Sequence, residues 1–370
     1  MDLPRFDVDM AYVQARLLKM LAIPSPTGLT NELSRLMCAE LEELEVDYKL
    51  TRRGTIIATI PGAERSASRA IVNHLDTIGA VVSELKPNGR LGLTAVGTWS
   101  SRFAEGGKVT VFTHERAYRG QVLPLLASGH AFNERIDTLP IGWDQIELRL
   151  NEPVHSRDDL VALGIRSGDF VAFDSSPEIS ESGYVCARHL DNKAGASALL
   201  GALKMIKESG QPPAIDLQAI FTVTEEVGMG AGSSLSSDVI EFVGIDIGPV
   251  APGQNARETG VTLCAQDTSG PFDYHMLQKL KGLCRKYSIA HQIDVFRYYY
   301  SDANSAVRAG HDVRDALITF GTDATHGYER THLNSLESIA ALVYVYAFSK
   351  PVYPLLEEDR VTRFPHVIAG

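Results

Sequence analysis

The chain is 370 residues long, and 35 Lys+Arg against 46 Asp+Glu leave a formal charge of -11. Hydrophobic residues at 44% and charged residues at 22% are globular values that exclude wholesale disorder, and the acidic surplus argues against nucleic acid or an anionic membrane as the main partner. No apolar stretch is long enough to span a bilayer.

The start, Met1-Asp2-Leu3-Pro4-Arg5-Phe6-Asp7, lacks the basic-then-apolar order of a signal peptide. Cys38, Cys186, Cys264 and Cys284 are scattered singly with no Cys-x-x-Cys pair. The expectation is a cytoplasmic protein with buried, reduced cysteines and no thiolate metal site.

A first amphipathic helix runs through Leu29, Leu33, Leu36, Met37, Leu41 and Leu44, entered from the turn-rich Ile23-Pro24-Ser25-Pro26-Thr27-Gly28. Residues 46–50 and 55–60 read as strands joined at Arg52-Arg53-Gly54. The apolar run 70–76 is a strand ending in His74 and Asp76. From about 80 to 182 short β-like runs alternate with turn residues and no long amphipathic helix intervenes, the pattern of a small all-β module. Helix–strand alternation resumes with a helix over 192–208, strands over 215–223 and 242–247, and strands at 261–265 and 292–296 flanking a helix over 276–286. A last strand at 316–320 and a final helix over 335–349 complete it. The order is that of an α/β sheet domain. The spacing therefore predicts a discontinuous α/β domain, 1–82 and 183–370, interrupted by a β domain over 83–182.

Metal-capable residues gather where these apolar strands end: His74 and Asp76, then Glu225 and Glu226, Asp246, and a polar loop with Asp323, His326 and His332. Asp191 precedes a helix. Carboxyl ends of strands in an open α/β sheet form one edge, where such residues meet. Imidazole and carboxylate without thiolate suit zinc, cobalt or manganese. Two ions about 3.5–4 Å apart need a bridging ligand; Asp191 suits that role, with His74 and Asp246 on one ion, and Glu226 and a late histidine on the other. Glu225 remains as a general base, and Asp76, on the same strand face as His74, is expected to orient it.

Asn73-His74-Leu75-Asp76, Leu190-Asp191-Asn192-Lys193-Ala194-Gly195, Thr224-Glu225-Glu226-Val227-Gly228 and Gly244-Ile245-Asp246 resemble the active-site motifs of the M42 metallo-aminopeptidases, which include glutamyl and tetrahedral aminopeptidases. The resemblance implies a di-zinc aminopeptidase-like three-layer α/β/α domain with an inserted β-barrel-like dimerisation domain. It implies homo-oligomers, from dimers to a tetrahedral dodecamer, acting on peptides. By carry-over His74, Asp191 and Asp246 bind one divalent ion, zinc before cobalt or manganese. Asp191, Glu226 and His332 bind the other, and Glu225 is the catalytic base for removal of an N-terminal residue. His332 is placed ahead of His326 because it directly precedes the final helix.

The chain departs from the family pattern at Tyr299-Tyr300-Ser301-Asp302-Ala303, where Gly-Gly-Thr-Asp-Ala is common, and at Asp191-Asn192-Lys193, where Asp-Asp-Arg is usual. Tyr328-Glu329-Arg330-Thr331-His332 looks like a subgroup associated with the osmoprotectant N-acetylglutaminylglutamine amide, so an acylated dipeptide amide is an alternative substrate. A glycosidase working through Glu225 and Glu226 is a further alternative, weakened because adjacent carboxylates diverge. A non-catalytic assembly protein is a third. Gly228-Met229-Gly230-Ala231-Gly232 lacks the Lys-Ser/Thr ending of a phosphate loop and reads as a tight turn beside the metals.

Overall fold

A computed structural model describes residues 7–352; Met1–Phe6 and the expected tail of the catalytic domain beyond residue 352 lie outside it. The chain opens with helices α1 (Met10–Leu21) and α2 (Asn31–Glu43), then strands β1 (Asp47–Leu50), β2 (Ile56–Ile60) and β3 (Glu64–His74). Helix α1 lies outside the elements read from the sequence. It buries Val13, Leu17, Met20 and Leu21, and Asp9 caps it by accepting the Tyr12 amide at 2.9 Å.

Six strands then close a barrel: β4 (Gly79–Leu85), β5 (Leu91–Val96), β6 (Lys108–Phe112), β7 (Ala117–Pro124), β8 (Ile146–Leu150) and β9 (Phe170–Phe173), with short helices α3 (Gly129–Phe132) and α4 (Arg157–Ala162) in its connections. The strand order is β4-β5-β8-β7-β6-β9, and β9 returns to pair with β4. Alternate residues such as Val109, Val111, Val122 and Leu148 fill its core. The barrel thus begins at Gly79, four residues before the expected start at 83, and ends at Phe173, nine residues before the expected end at 182.

The chain returns through β10 (Glu178–Ile179) and β11 (Tyr184–Ala187) to α5 (Leu190–Glu208), β12 (Ile215–Thr222), β13 (Val239–Pro249), β14 (Val261–Asp267), β15 (Gly270–Pro271), α6 (Tyr274–Lys286), β16 (His291–Val295), α7 (Asp302–Arg308), β17 (Arg314–Thr322), β18 (Glu329–His332) and α8 (Leu333–Ala347). The main sheet has the order β1-β2-β12-β3-β13-β17-β14-β15, with β16 beside β14. Its centre, β12-β3-β13-β17, is parallel. The two faces of β3 separate two cores. Ile71 and Leu75 face α1, α2, α5 and α8, while Ala70 and Val72 join Ala303 and Ala306 of α7 on the other side. This period-2 division, burying both faces, is what makes the central strands near-continuously apolar. The result is a three-layer α/β/α domain carrying a closed barrel. Among the described residues no helix is long and apolar enough to cross a membrane.

Candidate metal centre

Parallel strands align their carboxyl ends, and this alignment assembles the site. Thr222 at the end of β12 pairs with His74 at the end of β3, and Val72 with Gly244, two residues before Asp246. Glu225 and Glu226 follow β12 on a 3-10 turn, and His326 follows β17. Asp191 enters from the start of α5, where it and Asn192 keep non-helical angles and their shared peptide is cis. Asn192 Nδ2 donates to Ile245 O at 2.7 Å, and Asn73 Nδ2 donates to Asn192 O at 3.1 Å. These bonds tie the α5 entry to both neighbouring strands.

Two sets of donors lie within 4.8 Å of one another: His74, Asp191 and Asp246, and Asp191, Glu226 and His326. His74 Nε2 is 3.1 Å from Asp191 Oδ1 and 3.8 Å from Asp246 Oδ1. His326 Nε2 is 3.4 Å from both Asp191 Oδ2 and Glu226 Oε2. The outer ring nitrogens fix both tautomers. His74 Nδ1 donates to Asp76 O at 2.8 Å and His326 Nδ1 to Thr98 O at 3.1 Å. A carbonyl only accepts, so Nδ1 carries a proton in each ring and Nε2 is the nitrogen that faces the carboxylates, open to a metal once its own proton is lost.

The electrostatics call for a cation. Burial pushes the Glu225, Glu226 and Asp246 carboxyls up from their ordinary values; neighbouring carboxylates add to the rise, while His74 and His326 oppose it. Burial disfavours a charged His326 ring, yet Glu226 and Asp191 outweigh it and raise its pKa to about 12. Asp191 Oδ1 is buried without a hydrogen-bond partner despite the nearby imidazole. A buried carboxylate with one orphaned oxygen, standing between two imidazole Nε2 atoms with one oxygen toward each, fits divalent metal ions, which repay such desolvation.

His332 does not join this cluster. Its Nε2 lies 2.8 Å from Ser182 O, its ring packs on Tyr184, and its Nδ1 accepts the Asn334 amide as the N-cap of α8. Its place before the final helix makes it a cap, and His326, the rival histidine, stands at the metal-side position. Asp76 also has a task beyond the expected one, its carboxylate Oδ1 standing 3.8 Å from His74 Nδ1. Its backbone carbonyl serves His74. Its buried carboxylate accepts the Glu225 amide at 3.1 Å, the Glu226 amide at 3.3 Å and the Thr27 hydroxyl at 2.6 Å, so it fixes the turn bearing both glutamates.

The sequence assigns no role to three further contributors, although Asp302 and Glu329 lie within motif segments it offers. Glu329, buried and raised to about 8 by burial and then by Asp191, accepts the amides of Asp191 at 3.1 Å and His326 at 2.9 Å. Asp302 is pushed up to about 6, chiefly by burial, and accepts the Thr222 hydroxyl at 2.7 Å and the Ala231 amide at 2.6 Å. Thr98 belongs to the inserted segment. The glycine-rich run is a tight turn, as expected: Gly228 has φ +75, and a Cβ on Gly230 would fall 1.5 Å from Asp302 Oδ1.

A cavity of about 970 Å³ opens over Glu225, Asp246 and His326. Its far wall carries Tyr299, Tyr300, Ser301 and Arg308. Tyr299 donates to Ile247 O at 2.8 Å, while Tyr298 at the mouth is 96% exposed.

Two donor triads sharing a carboxylate beneath a cavity, at the carboxyl edge of an α/β sheet, define a metal-dependent hydrolase. A model of the M42 glutamyl aminopeptidase family matches residues 54–342, and the chain belongs to that family. The protein YhfE of Bacillus subtilis (strain 168), which carries an aminopeptidase name, is 36% identical over 335 residues, covering 90% of this chain and 96% of its own. Among solved structures, the TET1 peptidase of Pyrococcus horikoshii superposes with a TM-score of 0.81 at 23% identity, over 91% of this chain and 100% of that one. A Thermotoga maritima structure titled as an endoglucanase shares the fold at a TM-score of 0.70 and 18% identity, over 90% of this chain and 96% of that one. The fold alone therefore does not choose the bond that is cut; family membership does, and the chain is a metal-dependent aminopeptidase.

Proposed function

We propose that the chain removes N-terminal residues from peptides using two zinc ions. His74, Asp191 and Asp246 hold one ion, and Asp191, Glu226 and His326 the other. The observation that carries this reading is Asp191 standing within ligand distance of both imidazoles, with one oxygen toward each. When bound, the ions supply the Lewis acidity that makes water nucleophilic near neutral pH and polarises the scissile carbonyl. Glu225, whose Oε2 lies 3.9 Å from His74 Nε2 at the cavity floor, takes the proton from that water and delivers it to the departing amine. Asp76 keeps the glutamate in place through its amide. Glu226 is engaged by Ile78 N at 3.2 Å and by His326, so it offers no second free carboxylate for glycoside cleavage. The exposed barrel is proposed to carry the contacts of a homo-oligomer, up to a tetrahedral dodecamer, and light scattering on the purified chain measures its size.

The test pairs metal content with turnover on free-amine peptides, an acylated dipeptide amide and a β-glucan. Glu225→Gln is expected to keep both ions and lose about 10²- to 10⁴-fold in kcat, the usual worth of a general base. Wild-type turnover in that variant excludes Glu225 as the base, and hydrolysis confined to the acylated amide or the glucan excludes the proposed substrate.

A further inference from the structure

The two metal triads are supported from different parts of the molecule. His74 and Asp246 lie on β3 and β13, and the outer nitrogen of His74 is held by Asp76 O, all within the sheet domain. The amides of Glu226 and His326 are held by Asp76 and Glu329 of the sheet domain, but their side chains are held from the barrel side. Ile78, immediately before β4, donates its amide to Glu226 Oε1 at 3.2 Å. Thr98, two residues after β5, accepts from His326 Nδ1 at 3.1 Å. A Cβ on Gly97, whose φ is +83, would come within 2.9 Å of Ile78 Cγ2 and 3.5 Å of Glu226 Oε2.

The Gly97-Thr98-Trp99 segment is itself pinned to the barrel. Trp99 Nε1 donates to Gly79 O at 3.0 Å, and Trp143 Nε1 donates to Trp99 O at 3.4 Å. The Trp99 ring packs edge-on against Trp143 and Phe173, with centroids 4.8 and 5.0 Å away. The Thr98 carbonyl therefore has a fixed position, and it sets both the rotation and the tautomer of the His326 ring. Outer contacts of this kind govern how well a histidine holds metal.

We propose that the Gly97-Thr98-Trp99 segment is a positioning element for one ion alone: it sets occupancy of the Asp191–Glu226–His326 site and leaves the His74–Asp191–Asp246 site to the sheet domain. The inserted barrel is then part of the metal-binding machinery. This inference rests on the two-ion reading of the site.

Equilibrium dialysis of the full-length protein against Zn²⁺ tests it. Wild type is expected to hold two ions. Gly97→Ala, which strains a left-handed backbone and crowds Ile78, the residue whose amide holds Glu226, and Trp99→Phe, which keeps an aromatic ring and removes the bond to Gly79, are expected to retain one tight ion and bind the second about 10- to 100-fold more weakly. Thermal unfolding of the metal-free variants checks that the fold is intact. Gly97→Ala combined with His326→Ala is expected to hold one ion, because both changes act on the same site. Equal weakening of both ions, unchanged affinity in both single variants, or loss of both ions in the combined variant overturns the proposal while leaving the two-ion reading intact. Fewer than two ions in wild type overturns the two-ion reading and this inference with it.

Discussion

His326 and His332 differ by six positions and by everything that matters to a metal. The first turns its Nε2 toward two buried carboxylates, while the second has both ring nitrogens occupied by the backbone of Ser182 and Asn334. His326→Ala is accordingly expected to lose one metal equivalent and hydrolysis. His332→Ala is expected to keep both ions and lose about 1 kcal/mol of stability, the worth of a helix N-cap. Metal analysis and thermal melts of the two variants separate these outcomes, and a metal-free His332→Ala would reverse the assignment. Residue types and strand ends were enough to find His74, Asp191, Glu225, Glu226 and Asp246 in the sequence. The choice between two late histidines was not legible there. It depends on a left-handed turn, φ +63 at His326, that aims one ring back into the sheet edge.

At the scale of elements, the loop after β12 and the N-terminus of α7 are joined by one buried carboxylate. Asp302 accepts from Thr222 and Ala231, and only a glycine at position 230 leaves room for it. Gly230→Ala is expected to displace the turn from α7, lower the melting temperature and raise KM more than it lowers metal content. Titrating peptide and zinc separately distinguishes this from a damaged metal site, and an unchanged KM would count against the proposed coupling. The strands and helices themselves were largely readable, because β3 and β13 contain continuous apolar runs and the period-3.6 pattern survives in α2 and α6. Helix α1 was missed although it carries a regular apolar stripe. The barrel's closure was not legible, since the pairing of β4 with β9 depends on residues some ninety positions apart. The roles of Thr98 and Glu329 were hidden for the same reason: each acts through a partner distant in sequence.

Across the whole molecule, a buried ion cluster fastens the end of α8 to the sheet. Arg69, fully buried on β3, pairs with Glu241 Oε2 at 3.3 Å and donates to the Tyr346 carbonyl. Lys279 of α6 reaches Glu241 at 3.1 Å, and Tyr346 donates its hydroxyl at 2.8 Å. Burial and then Arg69 lower Lys279 to about 8. Burial alone would raise the Glu241 carboxyl, but Arg69 and Lys279 hold it below its ordinary value. A depressed folded-state pKa contributes stability that is present above the unfolded pKa and lost as pH falls through the folded one. Glu241→Gln leaves two cations facing each other, so it is expected to cost about 3–5 kcal/mol at pH 7. The deficit should shrink as pH falls below the ordinary glutamate value of about 4.3 and on through the lower value of the folded state, where the wild-type carboxylate also protonates. Denaturant melts at pH 7 and pH 3.5 measure it, and a deficit that does not change with pH would remove the ionic explanation.

The pairing of Ala80 with Val171 means that the chain enters and leaves the barrel through adjacent strands. His74 and Thr222, neighbours in the sheet, are otherwise separated by one very long excursion. A barrel that folds early converts that excursion into a short tether and lowers the entropy lost when β12 finds β3. Val111→Ala, which removes two buried methyl groups from the barrel for about 2 kcal/mol, is then expected to slow refolding of the sheet rather than chiefly hasten unfolding. Stopped-flow chevrons decide between the two. In the cell, the same order of events would keep the long apolar strands of the sheet from meeting solvent until their partners are already within reach.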